Sequence, residues 1–548
     1  MYMFSRYQRG LRKTRTEALT GQAMDHPTHR NESRLISRRK VLAYPLCHFA
    51  LSLSPPISLA QMNGRTSAAD RAFVNRITWG LNSLVATTYA QEGRNGFAIQ
   101  QLRPGPAALP VSVQERLNAM ELGQTPADNV ARSIRADEKR IQAAPENEAR
   151  QALRDELGRR MQRLQSEALE YSLLRHLHSP HQFQERLTWF WTNHFNVSIR
   201  KAAVSRVLAP NFEEHAIRPH VFGRFEDLLM ATLRHPAMLI YLDNFQNRAG
   251  KINENYGREL MELHTLGVDG GYTQADVTAL SRSLTGLAVN YEKDETGLAE
   301  QYRAGYEHDG LFEFRPERHD ASDKVLLGKP VKGGGMDEVQ TVVRRLARHP
   351  STARHISRKL ATWLVADEPP EELVKAMTAT YSRTGGDLSA VLRTMLGHQG
   401  FEASLDDNDF KDPMRYVLGG MRMLYDSPET LVVNAQPLIQ WLSALGQAPF
   451  MRDTPDGYPI RRTDWQSSGQ MAARFDVAQR MAAGPTQLFF IDSPPNDTKP
   501  LVPDAGHLLY DKWLANNVRP ATRQVLAQAR TLHEWNVLWL ASPDFMHA

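Results

Sequence analysis

The stretch NENYGRELMELHTLGVDGGYT, Asn253–Thr273, sets three glutamates, an arginine and a histidine into one short helix ahead of a glycine turn. Residues three and four apart share a helix face. Tyr256, Leu260, Leu263 and Gly267 therefore form an apolar stripe, Glu254, Arg258 and Glu262 form a polar ladder beside it, and Glu259 and His264 border the stripe on its two sides. A ladder of this kind is either a row of salt bridges on a solvated face or, where the face lines a cleft, a set of substrate contacts from Glu254 and Arg258. A carboxylate and an imidazole at a stripe's edge supply acid and base roles, which makes Glu259, Glu262 and His264 the candidate catalytic residues.

The same helical grammar extends in both directions. Thr273-Gln-Ala-Asp276 reads as a capping box, followed by Val277, Leu280 and Leu284 at helical spacing and a stop at Gly286. Upstream, Leu187, Phe190, Trp191, His194 and Ser198 define one amphipathic helix, and Leu228, Leu229, Thr232 and Leu233 another before Pro236. Asp128 to His176 is highly charged with sparse leucines, which predicts one or two long solvent-facing helices broken at Pro145. Helical patterning resumes over 337–365, 371–384 and 388–395. Between about Ala288 and Lys332 the periodicity fails, with LFEFRP predicting one short strand; irregular segments of this length often carry function. From Gln447 to Gln470, prolines, glycines and aromatics interrupt the helices, as a lid over a site or as packing punctuation. The expected fold is mainly α: a large helical domain with long irregular loops and at most a short strand pair. Residues 61–400 are read as the main helical domain and 401–548 as a C-terminal helical part packed on it.

Residues 1–60 read as an N-terminal extension and an export signal. Ser37-Arg38-Arg39-Lys40-Val41-Leu42 precedes a weakly apolar stretch ending in Ser58-Leu59-Ala60, a twin-arginine-like pattern with a small-x-small cleavage site. The apolar run is too short and broken for a membrane span. The address expected is periplasmic or secreted. This segment also carries the chain's positive charge: of 66 Lys+Arg and 61 Asp+Glu, it holds ten and three, leaving 56 basic against 58 acidic residues, a net −2. A nucleic-acid partner then has no electrostatic motive. The single cysteine, Cys47, lies in the same segment, so the remainder has no disulfide, thiolate zinc site or cysteine nucleophile.

Further candidates lie outside the opening stretch. In WFWTNHF, His194 falls on its helix's apolar face, as a satisfied core histidine or as a buried base or metal ligand beside a tryptophan wall; Asn193 either orients a substrate or faces water, and Trp191 and Asn193 are the candidate substrate-binding residues here. His319 and Asp320 stand together in the irregular segment, and neutral imidazole with carboxylate suits zinc, manganese or iron, so His194, His319 and Asp320 form the candidate metal set. The cofactor stays open, a divalent metal being the one such residues admit. No GxxxxGK[ST] loop, GxSxG elbow, GxGxxG turn, HExxH or CxxCH occurs.

The opening stretch, together with ERLTWFWTNHF (Glu185–Phe195), RFEDLLMATLRHPAMLIYLDNFQN (Arg224–Asn247), His319-Asp320 before LLGK, ARHISRKLATWLV (Ala353–Val365) and LGQAPFMRDTPDGYP (Leu445–Pro459), resembles the bacterial family catalogued as domain of unknown function 1800, from about Asp70 to the chain's end. The resemblance implies a largely helical exported protein, encoded beside another exported family, and no particular reaction. Two functions fit. One is a periplasmic hydrolase-like enzyme using Glu/His acid–base or metal chemistry on a polar small molecule or glycan, since paired carboxylates with tryptophans suit sugar chemistry. The other is a noncatalytic exported binding or assembly partner of another secreted protein, met through the charged 128–176 region.

Overall fold

The computed structural model describes residues 67–105, 108–292, 297–406, 409–427, 430–490, 501, 503–504, 509–510 and 513–547. The twin-arginine-like segment and Cys47 lie outside the described residues. The described residues all fall within one compact unit. Among the described residues there are 24 α-helices, a few 3₁₀ and π stretches, and five strands of three residues each, so the fold is mainly α.

The helix at the centre of the molecule is Gln182–His194, in which every residue except Gln184 is buried. Its sequence, QFQERLTWFWTNH, leaves no polar face to solvent, and its charged members survive burial only through partners. Glu185 accepts from Arg218 and lies 3.0 Å from His176 Nδ1, while Glu213 faces His176 Nε2 at 3.6 Å and Arg218 at 3.3 Å. Arg186 is stacked between Trp79 and Trp363, its guanidinium carbon 5.1 and 4.5 Å from the two ring centroids.

The charged region folds as two helices, Ala127–Ala143 and Glu148–His178, broken around Pro145 as its sequence implies; Asn147 caps the second by accepting from the Ala149 and Arg150 amides. Only the first half of the second helix is a solvated surface. From Met161 onward it enters the core, and Leu164, Leu169, Leu173 and Leu177 are buried with Glu170 and His176. Glu170 is held by Arg116 at 2.8 Å.

The strands are confined to the segment where helical periodicity fails. They are β1 (Leu287–Val289), β2 (Glu307–Asp309), β3 (Phe312–Phe314), β4 (Lys324–Leu326) and β5 (Lys329–Val331). LFEFRP supplies β3, the central strand of an antiparallel sheet ordered β1-β3-β2, with Leu287 and Glu307 both opposite Phe314. The hairpin β4-β5 turns through Leu327 and Gly328, both at positive φ (52° and 70°), the backbone a two-residue turn requires. The capping box at Thr273 is present, opening the helix Gln274–Ser283.

Candidate active site

His194 ends the central helix and is buried to 1% exposure. Its Nε2 lies 3.1 Å from the His264 carbonyl oxygen and its Nδ1 2.9 Å from Lys359 Nζ. A carbonyl only accepts, so Nε2 carries the proton and Nδ1 accepts from the lysine. The imidazole is thus neutral by its bonding, and burial, with Lys359, His264 and His355 nearby, holds its pKa well below the usual value. Trp191 and Phe195 meet the ring edge-on at 5.2 and 4.6 Å, which completes an apolar wall.

Lys359 comes from the helix Pro350–Leu364, four residues and one turn after His355. Burial lowers its pKa to about 8, with Asp456 pulling the other way. No carboxylate bonds to its ammonium among the described residues. Its hydrogen bond goes instead to an imidazole nitrogen, an arrangement that favours the neutral amine far more than a salt bridge does. Burial likewise brings His264 to about 3 and His355 to about 4, helped in both by the Lys359 charge, so three neutral imidazoles surround one amine. The ring centroids of His264 and His355 lie 5.9 and 6.4 Å from that of His194. Neither ring nitrogen of His264 has a hydrogen-bond partner among the described residues.

The opening stretch enters this site in an unusual form. Asn255–Glu259 is α-helical, but Leu260–Thr265 continues as a π-helix, closed by the Leu266 amide donating to the Met261 carbonyl at 2.9 Å. Bonding to the fifth residue widens the turn, so residues five apart draw toward one face, and π segments of this kind concentrate at functional sites. Glu259 and His264 are five apart. His264 turns inward to the imidazole cluster, whereas Glu259 and Glu262 stay half-buried, with no hydrogen bond or ion pair among the described residues. Burial raises the Glu259 pKa, and the negative charges of Glu262 and Asp456 raise it further. Two residues past the π-helix stands Gly267, whose φ is +86° and where a Cβ would sit 2.9 Å from His355 Nδ1, so glycine lets the backbone pass the ring.

The Pro/Gly loop forms the remaining wall. Tyr458 N donates to Asn193 Oδ1 at 2.6 Å and Asn193 Nδ2 donates to the Tyr458 carbonyl at 2.9 Å. Asn196 Nδ2 donates to the Arg452 and Thr454 carbonyls at 3.0 and 2.8 Å, and Tyr241 Oη to the Asp453 carbonyl at 2.8 Å. These bonds hold Asp456, solvent-exposed, where its charge acts on Lys359, Glu259 and Tyr241. Polarity therefore rises outward from buried imidazoles through a half-buried amine and two half-buried glutamates to an open aspartate.

Of the residues singled out from sequence, His194, Glu259, Glu262 and His264 belong to this assembly. Asn193 and Trp191 support it and are not placed to bind substrate: both ends of the Asn193 amide are used by the loop, and Trp191, 1% exposed, packs against His194, Phe195 and Phe225. Glu254 and Arg258 form the salt-bridge ladder at 3.3 Å and also bind Gln274, with Thr278 donating to Glu254, so they tie this helix to the next rather than reach for a ligand. The metal set is not assembled. His319 Nε2 meets Glu338 at 3.1 Å and its Nδ1 meets the Thr285 carbonyl at 2.8 Å, while Asp320 pairs with Arg282 at 2.8 Å, which with its other bonds holds the carboxyl well below the usual range. Both share no partner with His194. Among the described residues no group of three or more His, Cys, Asp or Glu side chains is placed to hold a metal ion. Lys359, His355 and Asp456 were not singled out from sequence. The signal for the first two was their spacing of four on the helix ARHISRKLATWLV.

A family model described as protein of unknown function (DUF1800) matches residues 72–547. The chain belongs to this family. No curated protein and no solved structure matches it.

Proposed function

We propose that the protein is an enzyme of the hydrolase type, working by acid–base chemistry on a polar substrate, with Lys359 as proton acceptor and Glu259 as proton donor. The observation that carries this reading is the Lys359–His194 hydrogen bond. It supplies an amine that gives up its proton near neutral pH, held in place by an imidazole whose other nitrogen is fixed by a backbone carbonyl. With a pKa of about 8, about a quarter of the Lys359 amine is neutral at pH 7.5. Glu259, with its raised pKa, sits one helical turn from Glu262, and two carboxyl groups set close together are what glycoside chemistry uses. A glycan is accordingly the substrate class we favour. The twin-arginine-like run at Arg38-Arg39 supports action outside the cytoplasm, and Arg38→Lys/Arg39→Lys is expected to retain the protein inside the cell in a fractionation assay.

The test is release of reducing ends from a panel of neutral and acidic oligosaccharides by wild type, Lys359→Met and Glu259→Gln, each checked by thermal melting. Turnover by wild type that both well-folded variants lose supports the proposal. If wild type turns over nothing in the panel and both variants melt far below it, these groups are structural and a noncatalytic partner role takes over.

A further inference from the structure

Elsewhere in the core, buried cations outnumber buried carboxylates among the described residues. Arg76, Arg186, Lys411, Arg415 and Arg474 are all at or below 5% exposure, and the buried carboxylates set against them are Asp409 and, beside Lys411, Asp544. Asp409 is fully committed, to Arg76 at 2.9 Å, Arg415 at 2.7 Å and Arg462. Arg76 also donates to the Leu364 and Val365 carbonyls at 2.7 Å each, and Arg474 to the Lys411 carbonyl at 2.7 Å, so backbone oxygens absorb part of the excess. Lys411 has no such relief. Its Nζ makes no hydrogen bond or ion pair among the described residues and lies over the Phe545 ring, 3.9 Å from the centroid. An unpaired buried ammonium is costly and calls for an anion or loss of the proton.

Lys411 lines a small cavity of about 30 Å³, together with Arg71, Asn75, Trp539, Asp544 and Phe545. That is room for a single small ion or water. Arg71 brings a second cation to the same wall, its Nε buried without a partner and its guanidinium in no ion pair among the described residues. The one carboxylate in the lining is already used: Asp544 accepts from the Arg519 amide at 3.2 Å and from the Arg519 side chain at 3.3 Å, and also from the Thr522 hydroxyl at 2.5 Å. Two cations with no directly bonded carboxylate among the described residues thus face a space of ionic size; Asp544, whose charge also acts on Arg71, spends its hydrogen bonds on Arg519 and Thr522. We propose that this cavity is a binding site for one small monovalent anion, a halide, held between Lys411 and Arg71. Burial, then the neighbouring guanidiniums of Arg415, Arg71 and Arg474, hold the Lys411 pKa well below its usual value against the pull of Asp409, and a halide bound beside it raises that pKa.

The experiment uses the full chain and chloride or bromide as the probe. Thermal melts are run at constant ionic strength while chloride replaces gluconate, which is too large for the cavity. For a chain of this size the melting temperature is expected to rise by about 1 °C for each tenfold increase in chloride above its dissociation constant. Arg71→Gln, a change at a part-exposed residue, and Lys411→Met are each expected to flatten that dependence, and crystals grown in bromide are expected to show an anomalous peak between the two side chains. Melts that are the same in chloride and gluconate, or a bromide map with no peak in the cavity, overturn the proposal.

Discussion

Replacing Lys359 by methionine is expected to stabilise the protein at neutral pH while removing its chemistry. Burial depresses the Lys359 pKa from 10.5 to about 8. At 1.36 kcal/mol per unit, holding this amine protonated in the fold costs about 3 kcal/mol relative to the unfolded chain. The sign follows from the direction of the shift: the folded pKa is the lower one, so the cost is fully present below about pH 8 and disappears as pH rises toward 10.5. Methionine fills a similar volume without charge, and the hydrogen bond lost to His194 offsets about 1 kcal/mol of the gain. The net expectation is about 2 kcal/mol of added stability at pH 7, shrinking to near zero at pH 9.5, where the cost in wild type has fallen to about 1 kcal/mol. Urea unfolding of both proteins at the two pH values measures it. A Lys359→Met protein that is less stable than wild type by the same amount at both values refutes the reasoning, because the lysine is then a stabilising element rather than a strained functional one.

Three other outcomes are expected. Gly457→Ala places a Cβ 2.3 Å from the Asn193 carbonyl oxygen at a φ of +73°, so the loop carrying Asp456 must move; a loss of 2 kcal/mol or more, of the order seen for strained backbone and overpacking, is expected in denaturant unfolding, with a matching fall in any turnover. Arg218→Met leaves Glu185, Glu213 and His176 with an uncompensated buried charge and is expected to destabilise by about 3–5 kcal/mol; in wild type, because the Glu185 pKa is lowered from 4.5 to about 2, the stability that carboxylate contributes is present above pH 4.5 and is lost as pH falls toward 2, which acid melts will show. His319→Gln, far from any bond to His194, is expected to lower the melting temperature through Glu338 without altering the pH dependence of Lys359 labelling by an amine reagent.

Much of the helical frame was legible because local signals agreed. The capping box at Thr273, the break at Pro145 and the lost periodicity after Ala288 each rest on residues within a few positions of one another, and each appears in the fold. What escaped depends on distant residues. Sequence spacing could not show that Leu260–Thr265 widens into a π-helix, since His264 and Gly267 take that form by packing on His194 and His355. Lys359 reads as one more solvated lysine until the central helix brings His194 to its amine. His319 and Asp320 have the chemistry of ligands, but their partners Glu338 and Arg282 come from other helices and occupy them. The second half of Glu148–His178 looked solvated because its buried Glu170 and His176 find their partners on other helices, Arg116 on Val111–Ala119 and Glu185 on Gln182–His194.

Trace labelling of the full chain with acetic anhydride across pH 6–11, read by peptide mass spectrometry, reports the ionisation of each lysine separately. For Lys359 a midpoint near pH 8 is expected, moving lower in Asp456→Asn as the attraction that favours the ammonium is removed. A midpoint close to 10.5, unmoved by that substitution, means the amine stays charged at neutral pH and contradicts a proton-accepting role.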